Sequence, residues 1–333
     1  MVNWRGRRES ENVEDRRDEG GTADSGFQFP GGGGGGGMQL PIGKGGIGIF
    51  GILIALGLMF FFGIDPSVIL GGGGGGGFPM PKIDRNGGAL PKFDIPGLPG
   101  TKGEQAGGGQ APAPARPAGT DDAASFVKVV LADTEDIWTK QFASFGQRYS
   151  NPALVLYTDQ TRTACGPGQA MMGPFYCPID QKVYLDLNFF TELSRRFGAP
   201  GDFAQAYVVA HEIGHHVQKQ LGIADKVQQL KEQVSEADAN GLQVRMELQA
   251  DCLAGVFANQ DTKLNNFLQQ GDIEEGLNAA AQIGDDNLQK KATGRVMPEA
   301  FTHGTSEQRV RWFRKGVESG NMQACDTFNT DQL

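Results

Sequence analysis

The chain has 333 residues, 51 of them glycine, and its 30 basic and 39 acidic groups give a formal net charge of −9 at pH 7. Residues 1–120 hold 11 basic and 11 acidic groups, so the whole acidic excess falls on residues 121–333. An acidic domain of this kind argues against nucleic acid as a partner.

The first part of the chain predicts a tail, a membrane segment and a linker. Residues 1–44 are polar, charged and rich in glycine, which is typical of a flexible tail. Residues 45–64 carry no charge and are numerous enough to cross a bilayer. They lie too far from the N-terminus for an ordinary cleaved signal peptide, so we expect a transmembrane signal anchor. Residues 65–120 are rich in Gly, Pro and Ala and predict a disordered linker.

The charge distribution around this segment predicts an orientation. Six Lys and Arg residues precede the segment, so the positive-inside rule favours a cytosolic N-terminus and a domain on the outer side. For a bacterial inner membrane, this orientation makes the domain periplasmic. The protein is then a single-pass membrane protein.

The four cysteines all follow the membrane segment, and an even number on one side suits an oxidising compartment. The short separation and hairpin-like composition between Cys165 and Cys177 favour closure of that loop. Cys252 would then pair with Cys325. The alternative is four buried free thiols.

Residues 121–333 are enough for one substantial core. Apolar periodicity predicts a first helix over 121–145, a strand at 153–157 and short strands at 174–177 and 182–187. Helices dominate the rest of the domain. The pattern therefore predicts an α+β domain, mostly helical, with a small antiparallel sheet on the active-site helix. We expect 182–187 to be the edge strand that holds an extended peptide.

A histidine pair marks the helix predicted over residues 202–221. His211 and His215 lie one turn apart on one face, so both imidazoles can reach one Zn²⁺ ion. Glu212 would lie beside the metal, where it can take a proton from water. This is the HExxH pattern of zinc metallopeptidases. A solvated cluster of charges on a surface helix is the alternative.

Other residues of this helix refine the prediction. Asp202 is a suitable N-cap and Gly222 a suitable stop. Gly214 costs about 1 kcal/mol relative to Ala, which a close backbone neighbour would explain. His216 should point away from the metal, as a surface residue or a second-layer partner.

A second motif supplies the third ligand. The metzincin extension requires Gly and His where this chain has Gln218 and Leu221, so that class is excluded. Glu247 and Asp251 lie four apart in a largely apolar helical run. Buried carboxylates need a cation or hydrogen-bond donors. We therefore expect Glu247 to bind zinc and Asp251 to accept a hydrogen bond from a ligand histidine. The alternative is that Glu247 pairs with Arg245 or another surface charge.

The combination of HExxH with a downstream ExxxD resembles the gluzincin peptidases. The chain more specifically resembles the neutral zinc metallopeptidase family, in the segments WRGRRESENVEDRR, CGPGQAMMGPFYCPIDQKVYLDLNFF, VVAHEIGHHVQ, ELQADCLAGVFA and GRVMPEAFTHGTSEQRVRWF. The resemblance covers both ends of the chain and nearly all of residues 121–333. It implies a zincin-like fold, one catalytic Zn²⁺ and a peptide or protein substrate.

The last histidine lies in a loop before a helix that Thr305 or Ser306 would cap. By resemblance to other membrane-associated gluzincins, His303 or Arg309 would face the substrate carbonyl and stabilise the developing oxyanion. The alternative is a histidine that forms hydrogen bonds only within its loop.

These observations favour a membrane-anchored zinc metalloendopeptidase with Glu212 as general base. A zinc-containing envelope domain that binds or scaffolds a partner without catalysis is the second hypothesis. A zinc hydrolase of a non-peptide amide is the third, and it differs from the first only in substrate.

Overall fold

The computed structural model describes residues 1–19 and 118–333, and these residues contain eight α-helices and six strands. The helices are α1 (Ala118–Ser144), α2 (Asn188–Arg195), α3 (Asp202–Gln220), α4 (Ile223–Lys231), α5 (Glu236–Asn265), α6 (Asp272–Gln282), α7 (Asp285–Thr293) and α8 (Ser306–Ser319). The strands are β1 (Val13–Asp15), β2 (Ala153–Tyr157), β3 (Gln160–Thr163), β4 (Gly166–Gln169), β5 (Phe175–Cys177) and β6 (Lys182–Asp186). The mostly helical α+β class is confirmed.

The predicted membrane segment, residues 45–64, lies outside the described residues, as does the predicted linker up to residue 117. Among the described helices, none combines the length and apolar character needed to cross a membrane. The last three residues of the predicted linker, 118–120, already belong to α1.

The main sheet is mixed, in the order β1-β2-β6-β5, and β3 and β4 form a separate antiparallel pair. Strands β1, β2 and β6 run parallel, and only β5 is antiparallel to its neighbour. The expectation of an antiparallel sheet is therefore wrong. The expectation that residues 182–187 form an edge strand is also wrong, because β6 lies between β2 and β5 and is buried along most of its length.

Residues 1–19 belong to this fold, although the sequence predicts a separate tail over residues 1–44. Strand β1 pairs with β2, with Val13 opposite Leu154. Val2 and Ser10 are buried, and the Trp4 ring packs edge-on against Phe126 at 5.5 Å between centroids. A three-residue strand carries too little periodicity to be recognised, so the predicted boundary is wrong for these residues.

Arg7 holds residues 1–19 to the helices. Its guanidinium lies 2.6 Å from the Asp133 carboxylate and 2.9 Å from the Asp261 carboxylate, and it lies over the Phe267 ring. Burial, together with the neighbouring Asp261 charge, raises the pKa of Asp133 to about 8. Two buried carboxylates therefore depend on one arginine from the N-terminal segment.

Close backbone contacts position the helices of the site. A Cβ atom on Gly214 would lie 3.1 Å from both Cα and O of Ala250, so α3 and α5 touch backbone to backbone. This contact confirms the predicted reason for glycine in the helix. A Cβ atom on Gly316 would lie 2.0 Å from the Cys252 carbonyl oxygen, so α8 packs even more closely on α5.

The termini of these helices largely match their predicted signals. Thr305 caps α8 and forms a capping box with Gln308, and Gly222 follows α3 in a left-handed conformation. Asp202 is the first residue of α3 and not its N-cap. Its carboxylate instead accepts a hydrogen bond from the Val2 amide at 2.9 Å, a contact with residues 1–19 that the sequence did not predict.

The two predicted disulfide bonds are both present, which excludes the alternative of free thiols. Cys165 is bonded to Cys177, with 5.8 Å between Cα atoms. Cys252 is bonded to Cys325, with 5.5 Å between Cα atoms, and ties the C-terminal segment to α5.

Replacing Arg7 by methionine should lower the free energy of unfolding by about 3–5 kcal/mol, because it removes the cation from the buried Asp133–Asp261 pair. Chemical unfolding at pH 7 measures this loss. The matched control is Arg5→Met. The Arg5 ion pair with Asp122 is 72% and 67% exposed, so its loss should cost about 0–1 kcal/mol. Equal effects of the two substitutions would contradict the proposed role of Arg7.

Candidate metal centre

His211, His215 and Glu247 converge at the contact between α3 and α5. One nitrogen of each histidine and one Glu247 oxygen all lie within 4.8 Å of one another. The Glu247 Oε2 atom lies 3.1 Å from His211 Nε2 and 3.4 Å from His215 Nε2. The one-turn spacing of the histidines and the close approach at Gly214 bring these three side chains together.

Asp251 holds the other nitrogen of His211. Its Oδ1 atom lies 2.8 Å from His211 Nδ1 and also accepts from the Tyr207 hydroxyl. Arg309 donates to both carboxylate oxygens of Asp251, from Nε and Nη2, at 2.9 Å each. Burial raises the pKa of Asp251, but Arg309 and His211 outweigh it and lower the value to about 2. This ionised partner fixes His211 with a proton on Nδ1.

Arg309 therefore does not face a substrate. Its side chain is 3% exposed, and it also donates to the Ile283 carbonyl oxygen at 3.2 Å. Of the two sequence-predicted candidates for oxyanion stabilisation, the structure leaves only His303. Arg309 instead pairs with Asp251, the residue that accepts a hydrogen bond from the candidate ligand His211.

Gln218 is the corresponding partner of His215. Its Oε1 atom lies 2.9 Å from His215 Nδ1, and its Nε2 atom donates to the Met246 carbonyl oxygen at 2.7 Å. Sequence reasoning used Gln218 only to exclude the metzincins. The sequence signal for its role as a partner of His215 was an amide three residues after that histidine, on the same helix face.

Charges around the cluster favour protonated histidines in the absence of metal. Burial lowers the pKa of His211, but the Asp251 carboxylate outweighs it and raises the value to about 9. Burial likewise lowers the pKa of His215, and the Glu247 carboxylate raises it above its usual range. The two histidines in turn hold the pKa of Glu247 well below its usual range, against the effect of burial.

Glu212 lies beside the ligand cluster and is 8% exposed. Within the described part of the chain, its carboxylate makes no hydrogen bond. Burial raises the pKa of Glu212, and the charges of His211 and His215 only partly offset that rise. A carboxylate without a partner and with a raised pKa is suited to accept and release a proton.

His303 lies in the loop before α8, and its side chain is 44% exposed. The Asp285 carboxylate lies 3.2 Å from His303 Nδ1 and accepts from three backbone amides, those of Thr302, His303 and Gly304. Desolvation lowers the pKa of His303, but the hydrogen bond to Asp285 and the Glu247 charge raise it overall. Sequence reasoning missed Asp285, because only the folded chain brings residues 285 and 303 together.

His216 points away from the cluster, as its position on the helix predicts. It is 1% exposed, so it is a buried residue and not a surface one. Its Nδ1 atom lies 3.0 Å from the Tyr176 hydroxyl, and its Nε2 atom lies 2.7 Å from the Ser150 carbonyl oxygen.

The cluster fits a zinc ion. Two imidazole nitrogens and one carboxylate oxygen are the donors of many catalytic zinc sites, which keep a further position for water. The Nδ1 atom of each histidine is already engaged, so each Nε2 atom is the one available to a metal. Fold and cluster together define a candidate metal site of the HExxH type, with a candidate third ligand on a later helix.

The chain belongs to the family described as "Putative neutral zinc metallopeptidase", whose sequence profile matches residues 2–87 and 92–328. It is 43% identical over 327 residues to YpfJ, an uncharacterized protein of Escherichia coli strain K12, and the match covers 98% of this chain and 99% of YpfJ. It is also 43% identical over 195 residues to the uncharacterized protein Rv2575 of Mycobacterium tuberculosis, covering 56% of this chain and 65% of Rv2575. No solved structure matches the chain at a significant level.

Zinc affinity should fall as the pH is lowered below about 9, because His211 must lose its proton before Nε2 can bind. Each displaced proton weakens binding about tenfold per pH unit. Competition with a chelator between pH 6 and pH 8 measures the slope. His216→Gln should leave both affinity and slope unchanged. An affinity that does not vary with pH would contradict the expected protonation of the ligands.

Proposed function

We propose that this member of the zinc metallopeptidase family is an endopeptidase with one catalytic zinc ion. His211, His215 and Glu247 would hold the ion, and Glu212 would act as general base. The observation that carries the proposal is the Glu212 carboxylate, which lies unpaired beside two histidines whose Nδ1 atoms are already engaged.

Zinc held by these three side chains supplies Lewis-acid chemistry, which activates water and polarises a carbonyl group. The protein supplies proton transfer and orientation. The Glu212 carboxylate takes a proton from the attacking water and later gives it to the leaving amine. Asp251 and Gln218 orient the two ligand imidazoles by accepting hydrogen bonds from Nδ1.

His303 is the candidate for stabilising the developing oxyanion. The Asp285 carboxylate engages Nδ1 of His303 and helps to raise its pKa, which favours the imidazolium form, and that form carries a proton on Nε2 to donate outward. The same carboxylate fixes the loop by accepting from its backbone amides. A donor positioned before the reaction stabilises developing charge without reorganisation.

An extended substrate would bind along β5. This strand is an edge of the main sheet, and among the described strands it pairs only with β6. The Tyr176 hydroxyl contacts His216, so β5 packs on α3, the helix that carries both candidate ligand histidines. A peptide could pair with the free edge of β5 by strand addition. This assignment takes the place of the 182–187 edge expected from the sequence.

The proposed location is the outer side of a bacterial membrane, with residues 45–64 associated with that membrane. Two disulfide bonds in the domain support an oxidising compartment. The uncharged stretch of residues 45–64 supports association with a membrane.

Replacing Glu212 by glutamine should leave zinc bound and slow peptide hydrolysis by about 10²–10⁴-fold, because the amide cannot accept the proton. Purified, zinc-loaded protein is incubated with a peptide library, and new termini are identified by mass spectrometry. Glu236→Gln, the same change at an exposed residue of α5, is the control and should keep full activity. Full activity of Glu212→Gln would refute the proposed base.

A further inference from the structure

We propose that Gln218 and Gln249 form a relay of amides that positions His215 and anchors it to the C-terminal segment. The proposal rests on the zinc site of the proposed function but not on peptidase activity. Neither glutamine touches a substrate or the reacting atoms, so both are positioning residues.

The relay is a continuous set of buried hydrogen bonds. Gln218 is fully buried and Gln249 is 8% exposed. The Gln218 Nε2 atom donates to the Gln249 Oε1 atom at 3.1 Å, in addition to the Met246 carbonyl oxygen. The Gln249 Nε2 atom donates to the Cys325 carbonyl oxygen at 3.0 Å. Two side-chain amides thus connect His215 to the Cys325 carbonyl group in the C-terminal segment.

Backbone carbonyl groups set the direction of every bond in the relay. A carbonyl oxygen only accepts, so the Cys325 oxygen requires the amino group of Gln249, and the Met246 oxygen requires that of Gln218. The Oε1 atom of Gln218 must then face His215 Nδ1, and the Oε1 atom of Gln249 must face Gln218 Nε2. The Oε1 atom of Gln218 therefore requires a proton on His215 Nδ1, which leaves the Nε2 lone pair for the metal.

The far end of the relay is fixed covalently. Cys325 is bonded to Cys252, which directly follows Asp251 in α5. Arg245 of the same helix donates to the Thr327 and Thr330 carbonyl oxygens, and Thr327 donates back to the Arg245 carbonyl oxygen. The acceptor for Gln249 is therefore held on α5 from both sides.

The two candidate ligand histidines have different partners as a result. His211 has an ionised carboxylate with its own arginine, whereas His215 has a neutral amide. A carboxylate at residue 218 could accept from His215, but it could not donate to Met246 or Gln249. The relay thus explains why an amide, and not an acid, occupies this position.

The test is the zinc dissociation constant, measured by chelator competition on the full-length protein. Gln218→Leu should weaken zinc binding by about 10–100-fold, the usual effect of losing a partner of a ligand. Gln249→Leu should weaken it less. The double substitution should be no worse than Gln218→Leu alone, because Gln249 acts through Gln218.

A matched control separates positioning from stability. Gln289→Leu removes another buried amide, whose Oε1 atom accepts only from the Met297 backbone, away from the relay. It should lower the melting temperature without changing zinc affinity. If Gln218→Leu does not fold, zinc affinity is compared between Gln249→Leu and the control Gln289→Leu.

Wild-type zinc affinity in Gln218→Leu, or additive losses in the double variant, would overturn the relay. A wild-type protein that binds no zinc would instead contradict the proposed function. Relay-dependent zinc binding without any peptide cleavage would support the relay and contradict the peptidase.

The packing of residues 1–19 carries an independent inference about location. We infer that these residues share one compartment with the metal site. Strand β1 lies in the main sheet, Arg7 reaches Asp133 and Asp261, and Arg8 and Ser10 both contact Glu135. A single membrane crossing between residues 19 and 118 would separate partners that the fold brings together. This inference takes the place of the cytosolic N-terminus expected from the charge distribution.

Single added cysteines test the inference, because all four native cysteines are in disulfide bonds. Glu11→Cys and Lys290→Cys place exposed thiols in the N-terminal segment and in the domain. A membrane-impermeant maleimide is applied to intact bacterial spheroplasts and to lysed ones. Both thiols should react in intact spheroplasts.

Labelling of only one of the two thiols in intact spheroplasts would overturn the shared compartment. Labelling of both only after lysis would support the shared compartment and contradict the proposed location outside the cytoplasm.

Discussion

The metal centre depends on the hydrogen bonds and the ion pair of the Asp251 carboxylate. This carboxylate is fully buried, and a buried charge is tolerated only when it is paired and hydrogen-bonded. Its partners come from two other helices, His211 and Tyr207 from α3 and Arg309 from α8. Since these contacts need α3, α5 and α8 to meet within hydrogen-bond distance, the position of one acid constrains three helices.

Small residues make this meeting possible. Gly214 lets the backbones of α3 and α5 touch, and Gly255 and Gly316 do the same for α5 and α8. A methyl group at Gly255 or Gly316 would collide with backbone atoms, and one at Gly214 would crowd the backbone of Ala250. The geometry of the candidate ligands is therefore set by backbone contacts as much as by the ligands themselves. The disulfide to Cys325 and the amide relay extend the same support to His215.

The sequence predicts those parts of the site that depend on local spacing. His211, Glu212 and His215 are recognisable because helical periodicity places them together, and Glu247 and Asp251 repeat the same spacing on a second helix. Asp285 and the true role of Arg309 were not predictable, because their partners lie far away in the chain, whereas the spacing of Gln218 from His215 on one helix was a usable signal that was missed. The order of the sheet was missed for a similar reason: β6 is an inner strand because it pairs with both β2 and β5, and β1 joins the sheet from the distant N-terminal segment.

The contact between Arg7 and Asp261 has a consequence for biosynthesis, because 254 residues separate them. At translation rates of about 5–20 residues per second, Arg7 exists for about 10–50 seconds before Asp261 is made. Until then, Asp133 is the only one of the two carboxyl partners of Arg7 that has been made, so the contact that ties the first residues of the chain to α5 is completed late in synthesis.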